Sequence, residues 1–506
     1  IFSRAGCDAA VMQCIRDGLS LTNSEEKEEI RKVIAFQTRE LPTEDFGVLN
    51  FYEWCQSLER GIASHHAGLL PMFKETVETL FQRGLLKIVF ATETLALGIN
   101  MPARTVVLEK LIKWNGETHT VITPGEYTQL TGRAGRRGID IEGNAVVVWS
   151  EQIDSSTAAG LASTRTYQLR SSFSPSYNMS ANLIARFGAE RARKSLGASF
   201  AQFQADRSVV GLMKQIEKNS STIDALRSQS TCHLGAMDEY MNFRFSIKEL
   251  ENRSRERKVR KRSQREIDEE IDAIRREMKM HPCHQCPERE SHARILEKAK
   301  RLEKEREGLR TRMEGRTNVI PRTFDMVSAV LLDLKYLVDE RLTTKGRLLS
   351  RIYAETDLLV AELISNGTFS ALGSAELAAL FSGLLYEGRG ERSKMPRIPK
   401  SLDDKIREII RTWSKLCDLE SIQGLSNIRE PNFDMLWSVH RWANGTSLHT
   451  ILRESDVTVG DFVRHIRQVI DLLGQVKDAS PELSSCAKEA ISKIDRGVVA
   501  YSTVIA

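Results

Sequence analysis

Three short β-branched runs, KIVFAT (Lys87 to Thr92), RTVVLEKL (Arg104 to Leu111) and NAVVVW (Asn144 to Trp149), alternate with amphipathic and glycine-rich stretches. Beyond about residue 160 the apolar residues fall almost entirely at helical spacing. This asymmetry limits the fold more than any other feature. Strand and helix in alternation predict a parallel sheet with helices on both faces, while apolar stripes at helical spacing predict helix packed on helix. One α/β domain followed by a mainly α remainder is the expected architecture. LPMFKETVETLFQRG (Leu70 to Gly84) carries Met72, Val77, Leu80 and Phe81 and reads as a helix ended by glycine. The opening pair Ile1-Phe2 reads as the tail of a strand, and the chain as a fragment whose N-terminal part is missing.

Composition narrows the class. A chain of 506 residues with 41% hydrophobic and 28% charged residues can bury several cores. The net charge is only +5, so any nucleic-acid surface must be local. Neither an apolar run long enough to span a membrane nor a signal-peptide pattern is present, so a cytoplasmic protein without membrane contact is expected. Eight cysteines, mostly single, favour reduced thiols over a disulfide framework.

In parallel sheets ligands sit at the carboxyl ends of the strands. FATETLALGINMPA (Phe90 to Ala103) follows a strand and opens a short helix near Thr92 to Thr94. Its free N–H groups and threonine hydroxyls suit an anion, with simple N-capping as the alternative. QLTGRAGRRG (Gln129 to Gly138) interleaves Gly132, Gly135 and Gly138 with three arginines. Glycine lets another group come close to the backbone, and arginine offers a rigid fork that matches phosphate oxygens. A basic surface turn is the alternative. No G-x-x-x-x-G-K-[ST] loop occurs in the chain, so the loop is half of a phosphate site. Between the two, Asn115-Gly116 and Glu117 separate apolar runs and signal a hairpin.

From about Glu217 to Met313 the sequence is charged and helical, with stripes at Ile267, Ile271, Ile274 and Met278 and at Ile295, Leu302 and Leu309. Joined by MHPCHQCPERE, the stripes predict an antiparallel helical hairpin whose first arm carries the basic run RSRERKVRKRSQR (Arg253 to Arg265). That run is either a solvated face or a contact for RNA or a protein partner. At the tip, Cys283-x-x-Cys286 is half of a zinc site, near His281, His284 and His292 and with Cys232-His233 far off in sequence. No second half stands at a recognisable spacing, so a metal-free capped turn is expected. On either side of this insertion lie compact apolar segments. The second has a helix from about Thr323 to Leu334 and two short strands turning near Asp339 and Glu340, as in a winged helix. From Tyr353 onward the chain reads as one bundle of amphipathic helices with Trp413, Trp437 and Trp442 in its core.

IFSRAGCDAA, GIASHHAGLLP, FATETLALGINMPARTVVLE and YTQLTGRAGRRG, in that order, resemble motifs IV to VI of superfamily 2 helicases, and their wording is similar to the superkiller-type DExH RNA helicases. RIYAETDLLVAELISNG and HRWANGTSL resemble the DSHCT domain that ends members of that family. The resemblance implies an α/β RecA-like second helicase domain at 1–160, a winged helix split between 161–216 and 316–353, an arch-like helical hairpin at 217–315, and a DSHCT-type bundle with a ratchet helix at 354–506. ATP and Mg²⁺ would require a first RecA-like domain, absent from this chain, that carries the Walker loop and DExH box. Gln129, Arg133 and Arg136 match motif VI positions that reach the nucleotide, Arg136 as the arginine finger, with Gly132 and Gly135 letting the backbone approach. Gly98 and Asn100 match motif V positions near the ribose and γ-phosphate. Arg4 and Thr92 match positions on the nucleic-acid backbone, and Arg464 and Arg467, on the ratchet helix, are further candidates. The implied substrate is single-stranded or structured RNA, with DNA as an alternative and a ribonuclease or RNA-decay partner. A Hel308-like DNA-repair helicase and a motor-less RNA-binding adaptor are the rival functions.

Overall fold

The structure, a computed structural model, describes residues 1–96, 101–114, 118–136, 138–151, 154–164, 166–167, 169, 171–255, 261–314, 318–388, 398–455 and 457–501. It divides into two compact units. The first comprises Ile1–Leu169, Ser176–Ala189 and Met326–Ala506, the second Arg170–Pro175 and Glu190–Asp325. Among the described residues no helix is long and apolar enough to cross a membrane.

The three expected strands form at Ile88–Ala91, Thr105–Leu108 and Asn144–Val147. Both ladders are parallel: Ile88–Ala91 pairs with Ile62–His65, and Thr105–Leu108 with Asn144–Val147. The strand Ile62–His65 escapes sequence patterning because two of its four buried residues are polar. One of them is paired at one ring nitrogen, since His65 Nε2 lies 2.8 Å from Glu78 Oε1. Burial pulls the imidazole pKa down against that carboxylate. Among the described residues helices do not cover both faces as expected: Val107 and Val146 on the second ladder, and Trp149 just beyond it, are exposed. Ile1-Phe2 is not a strand either. Ser3 caps the helix Arg4–Arg16 at once, and the Ile1 amino group donates to Ala91 O at 3.0 Å. The helix Pro71–Gln82 forms as expected, with Pro71 in its first turn, Met72, Val77 and Leu80 buried, and Gly84 at φ +72° just beyond its end. Ile112–Trp114 and His119–Val121 pair antiparallel as arms of a hairpin. Its turn, Asn115 to Glu117, lies outside the described residues.

The rest of the first unit is helical. Asp357–Ser365 and Ser374–Leu385 are buried almost all round, which makes them the centre of the bundle. Trp442 is core, with its Nε1 donating to Ile494 O at 2.8 Å, whereas Trp413 and Trp437 are only half-buried. A two-residue hairpin, Leu337–Val338 with Arg341–Leu342, turns at Asp339 and Glu340, both at positive φ. The helix Tyr177–Phe187, which precedes the insertion, is fastened to elements that follow it by buried polar groups. Tyr177 donates to Glu420 Oε1 at 2.7 Å, Asn178 N to Asp357 Oδ2 at 2.7 Å, and Asn178 Nδ2 to Leu349 O at 2.8 Å.

Burial raises the Asp357 carboxyl to about 7, against the pull of the Asn178 and Leu358 N–H groups. A carboxyl raised in the folded state costs nothing below its unfolded value of 3.8, and the penalty grows as pH rises from there to about 7. Asp357→Asn keeps an acceptor for Asn178 N and carries no charge. Melting curves between pH 4 and pH 7.5 should therefore show a steeper loss of stability for the natural chain than for Asp357→Asn; parallel curves would exclude a raised carboxyl.

In the second unit the helix pairing differs from the expected hairpin. Phe200–Gln229 runs unbroken across the boundary expected at 216 and packs along Arg289–Glu314, while Met237–Arg255 packs on Lys261–Met280. Arg227 to Glu303 (2.6 Å) bridges the first pair and Arg275 to Glu251 (3.1 Å) the second. Ile271 of the first stripe and Leu309 of the second are buried as expected, but Ile295 and Leu302 are only half-buried, while Ala293, Leu296 and Ala299 on Arg289–Glu314 are buried. Residues 256–260 of the basic run Arg253 to Arg265 lie outside the described residues.

Candidate nucleotide and nucleic-acid site

The helix Pro124–Thr131 is fixed at its start by a capping box: Glu126 N donates to Thr123 Oγ1 at 3.3 Å and Thr123 N to Glu126 Oε2 at 2.7 Å. It stops at Gly132, where a Cβ would stand 2.7 Å from Thr128 O. Any side chain there would force the loop off the helix end. The loop then turns through Gly135 at φ +90° and passes Gly143 so closely that a Cβ on Gly143 would lie 2.6 Å from the Ala134 carbonyl and Gly135 N. Its backbone is laced to the segment after the first loop. Ala103 N donates to Arg133 O at 2.9 Å, and Gly135 N to Ala103 O at 2.7 Å. The two loops singled out in the sequence are thus one structural piece.

On that piece Gln129 is exposed, and Arg133 and Arg136 are half-buried. Arg136 is gripped by Asp140: Nε reaches Oδ2 and Nη2 reaches Oδ1, each at 2.8 Å, and Arg136 N donates to Oδ2 at 2.9 Å. The guanidinium, and then the backbone N–H, hold the Asp140 carboxyl down to about 2. Asp140 went unnoticed in the sequence, although an acid four residues past the arginine was a usable signal. Lys113 was also missed. From the hairpin arm it reaches Glu93 at 2.7 Å and Glu126 at 2.6 Å, tying the turn Glu93–Ala96 to the helix of the arginine loop. Burial opposes its charge, but Glu126 and Glu93 together raise its pKa. Gly98 and Asn100 lie outside the described residues, as does Arg137. Thr92 follows its strand with its N–H on His65 O at 3.2 Å and its hydroxyl 2.9 Å from that of Thr94.

Arg4 and Arg464, 460 residues apart, meet on one carboxylate. Arg4 Nη1 donates to Asp461 Oδ2 at 2.5 Å, and Arg464 donates to Oδ1 of the same residue. Asp461 opens the helix Val459–Ala479, which Thr458 caps. That helix docks on the loop after Ile62–His65: Gly460 N donates to Gly68 O at 3.2 Å, and a Cβ on Gly460 would stand 2.5 Å from the carbonyl oxygens of Gly68 and Leu69. The loop is itself held, because Gly68 N donates to His66 Nδ1 at 3.1 Å and His66 Nε2 lies 3.0 Å from Asp8 Oδ1. Arg467, on the same helix, donates to the carbonyls of Val499 and Ala500.

Residues 11–138 match the helicase conserved C-terminal domain and residues 339–502 the DSHCT (NUC185) domain. The probable helicase HelY of Mycobacterium tuberculosis is 38% identical over 628 aligned residues, spanning 99% of this chain and 69% of its own length. The exosome RNA helicase MTR4 of Homo sapiens is 24% identical over 650 residues, 98% of this chain and 62% of its own. The DExH-box ATP-dependent RNA helicase DExH10 of Arabidopsis thaliana is 36% identical over 253 residues, 50% of this chain and 25% of its own.

Proposed function

The chain belongs to the HelY family of helicases, and from that premise we propose that it supplies the second RecA-like domain and the DSHCT bundle of an ATP-dependent RNA helicase that moves 3′ to 5′. The observation that carries this is the lacing of Ala103 to Arg133 and Gly135, which makes one rigid platform from which Arg136 projects. ATP fits the residues present: the Asp140 carboxylate fills the Arg136 fork as two phosphate oxygens would. Gln129, Arg133 and Arg136 offer donors and no carboxylate, so Mg²⁺ and the phosphate cradle are assigned to a partner RecA-like domain. Arg136 would stabilise charge developing on the transferred phosphoryl group, as guanidinium fingers do in such sites. Gly98 and Asn100 keep the nucleotide-side roles that the family motif gives them, and Thr92 a place on the nucleic-acid backbone.

Helix Tyr177–Phe187, helix Val319–Asp333 and the hairpin at Asp339 support the winged-helix reading, and the paired arms around Asn115-Gly116 support a strand-separating wedge. The names of the human and plant relatives support RNA as substrate, and the human one supports an exosome partner. Arg4 and Arg464 sit where a strand passing the docked helix would exchange their shared carboxylate for phosphate oxygens. Arg464→Ala should then lower the slope of log affinity against log salt for single-stranded RNA by about 0.7, the share of one phosphate contact. An unchanged slope would remove Arg464 from the path. The proposal as a whole is tested by strand displacement with the full-length protein on duplexes carrying 3′ or 5′ overhangs of RNA or DNA. ATP-dependent unwinding from 3′ RNA overhangs is expected; activity confined to DNA, or RNA binding without ATP turnover, would replace it with one of the two rival functions.

A further inference from the structure

The second unit brings together residues that are far apart in sequence. Phe200–Gln229 ends at a tight turn in which Cys232 and Gly235 form an isolated antiparallel bridge. Lys261–Met280 ends at the turn Pro282–Gln285, where Cys286 N donates to Cys283 O at 3.2 Å. The two turns meet. Ligand atoms of Cys232, His233 and Cys286 all lie within 4.8 Å of one another. Cys283 Sγ lies beside the same turn, 3.5 Å from where a Cβ on Gly235 would stand, and the backbone N–H groups of Leu234 and Gly235 lie near the Cys232 sulfur.

We propose that Cys232, His233, Cys283 and Cys286 bind one structural Zn²⁺ that staples the loop between Phe200–Gln229 and Met237–Arg255 to the loop between Lys261–Met280 and Arg289–Glu314. The chemistry of the donor set favours zinc, since three thiolates and one imidazole form a closed tetrahedral set for that ion. Zinc–sulfur bonds of ~2.3 Å set neighbouring sulfurs ~3.8 Å apart in a tetrahedron, so Cys232, His233 and Cys286 need only a small contraction to close on it. N–H groups aimed at the Cys232 sulfur would hold a metal-bound thiolate in place. His281 and His284 are already employed in the turn: His281 Nδ1 accepts from Cys283 N at 3.2 Å, and His284 Nδ1 lies 3.1 Å from the Tyr240 hydroxyl. His233 is exposed and is the imidazole that reaches the sulfurs. Beneath the cluster, Met237, Tyr240, Met241, Ala293 and Leu296 form an apolar floor that buries Cys283 completely. The missing half of the Cys-x-x-Cys site is therefore supplied by an adjacent Cys-His pair, a pattern invisible to a search for evenly spaced ligand pairs.

Metal analysis of the full chain, purified without chelator, should find about one zinc per chain, falling below about a tenth in Cys286→Ser. Cys417→Ser, in the other unit, should keep it. If Cys286→Ser fails to fold, the natural chain decides alone: after chelator treatment, titration with Co²⁺ should give a saturable visible spectrum with thiolate-to-cobalt charge transfer at one equivalent. Zinc that survives Cys286→Ser, a metal-free protein whose cysteines all react with a thiol reagent, or a disulfide joining Cys232 to Cys283 or Cys286 would each overturn the assignment.

Discussion

In the full-length enzyme Arg136→Ala should lower RNA-stimulated ATP turnover by about three orders of magnitude or more while nucleotide and RNA still bind. The arginine acts on charge that exists only in the transition state, so its loss spares the ground state. Arg136→Lys should remain strongly impaired, because an ammonium on a flexible stem lacks the planar fork that Asp140 now fills at two 2.8 Å contacts. Asp140→Ala leaves the guanidinium present but unheld and should cost far less, on the order of tenfold, from lost pre-orientation. Arg137→Ala should also cost far less. Near-normal turnover in Arg136→Ala, or a larger loss in Arg137→Ala, would show that the wrong arginine of the loop has been assigned.

The α/β strands were legible where β-branched residues run together, at Ile88–Ala91, Thr105–Leu108 and Asn144–Val147. Ile62–His65 was not, since its buried His is paired by a tertiary contact that local pattern does not encode. Turn chemistry carried well: the reversal falls at Asp339 and Glu340, where the sequence places it. Helix existence was likewise clear, but helix partners were not. A heptad stripe states that a face is buried without naming what buries it, and Arg289–Glu314 chose Phe200–Gln229 over the arm nearest in sequence. At the site, glycines and arginines announced themselves by type. Asp140, Lys113 and Asp461 did not, because an acid or a lysine on a surface loop looks the same whether it is solvated or holds a neighbour. Their roles come from distances that only the folded chain supplies.

The same substitution at two places on one helix should have opposite signs. In Val459–Ala479, Gly474 has nothing within 4 Å of where a Cβ would stand, so Gly474→Ala should stabilise by up to ~1 kcal/mol through helix propensity alone. At Gly460 the new methyl would lie 2.5 Å from two carbonyl oxygens. Neither can yield freely, because Gly68 is held by His66 and His66 by Asp8. The helix end must therefore retreat, losing the Gly460 N to Gly68 O bond and stretching the Arg4 to Asp461 pair. Overpacking of this kind costs ~1–3 kcal/mol, so Gly460→Ala should melt earlier than the natural chain while Gly474→Ala melts later. Function should divide as well. Retreat moves Arg464 relative to the α/β layer but leaves the Arg136 platform untouched, so duplex unwinding by Gly460→Ala should fall about tenfold or more while ATP turnover at saturating RNA changes little. Proportional losses of unwinding and turnover would mean that the docked helix supports the fold and does not couple ATP use to strand movement.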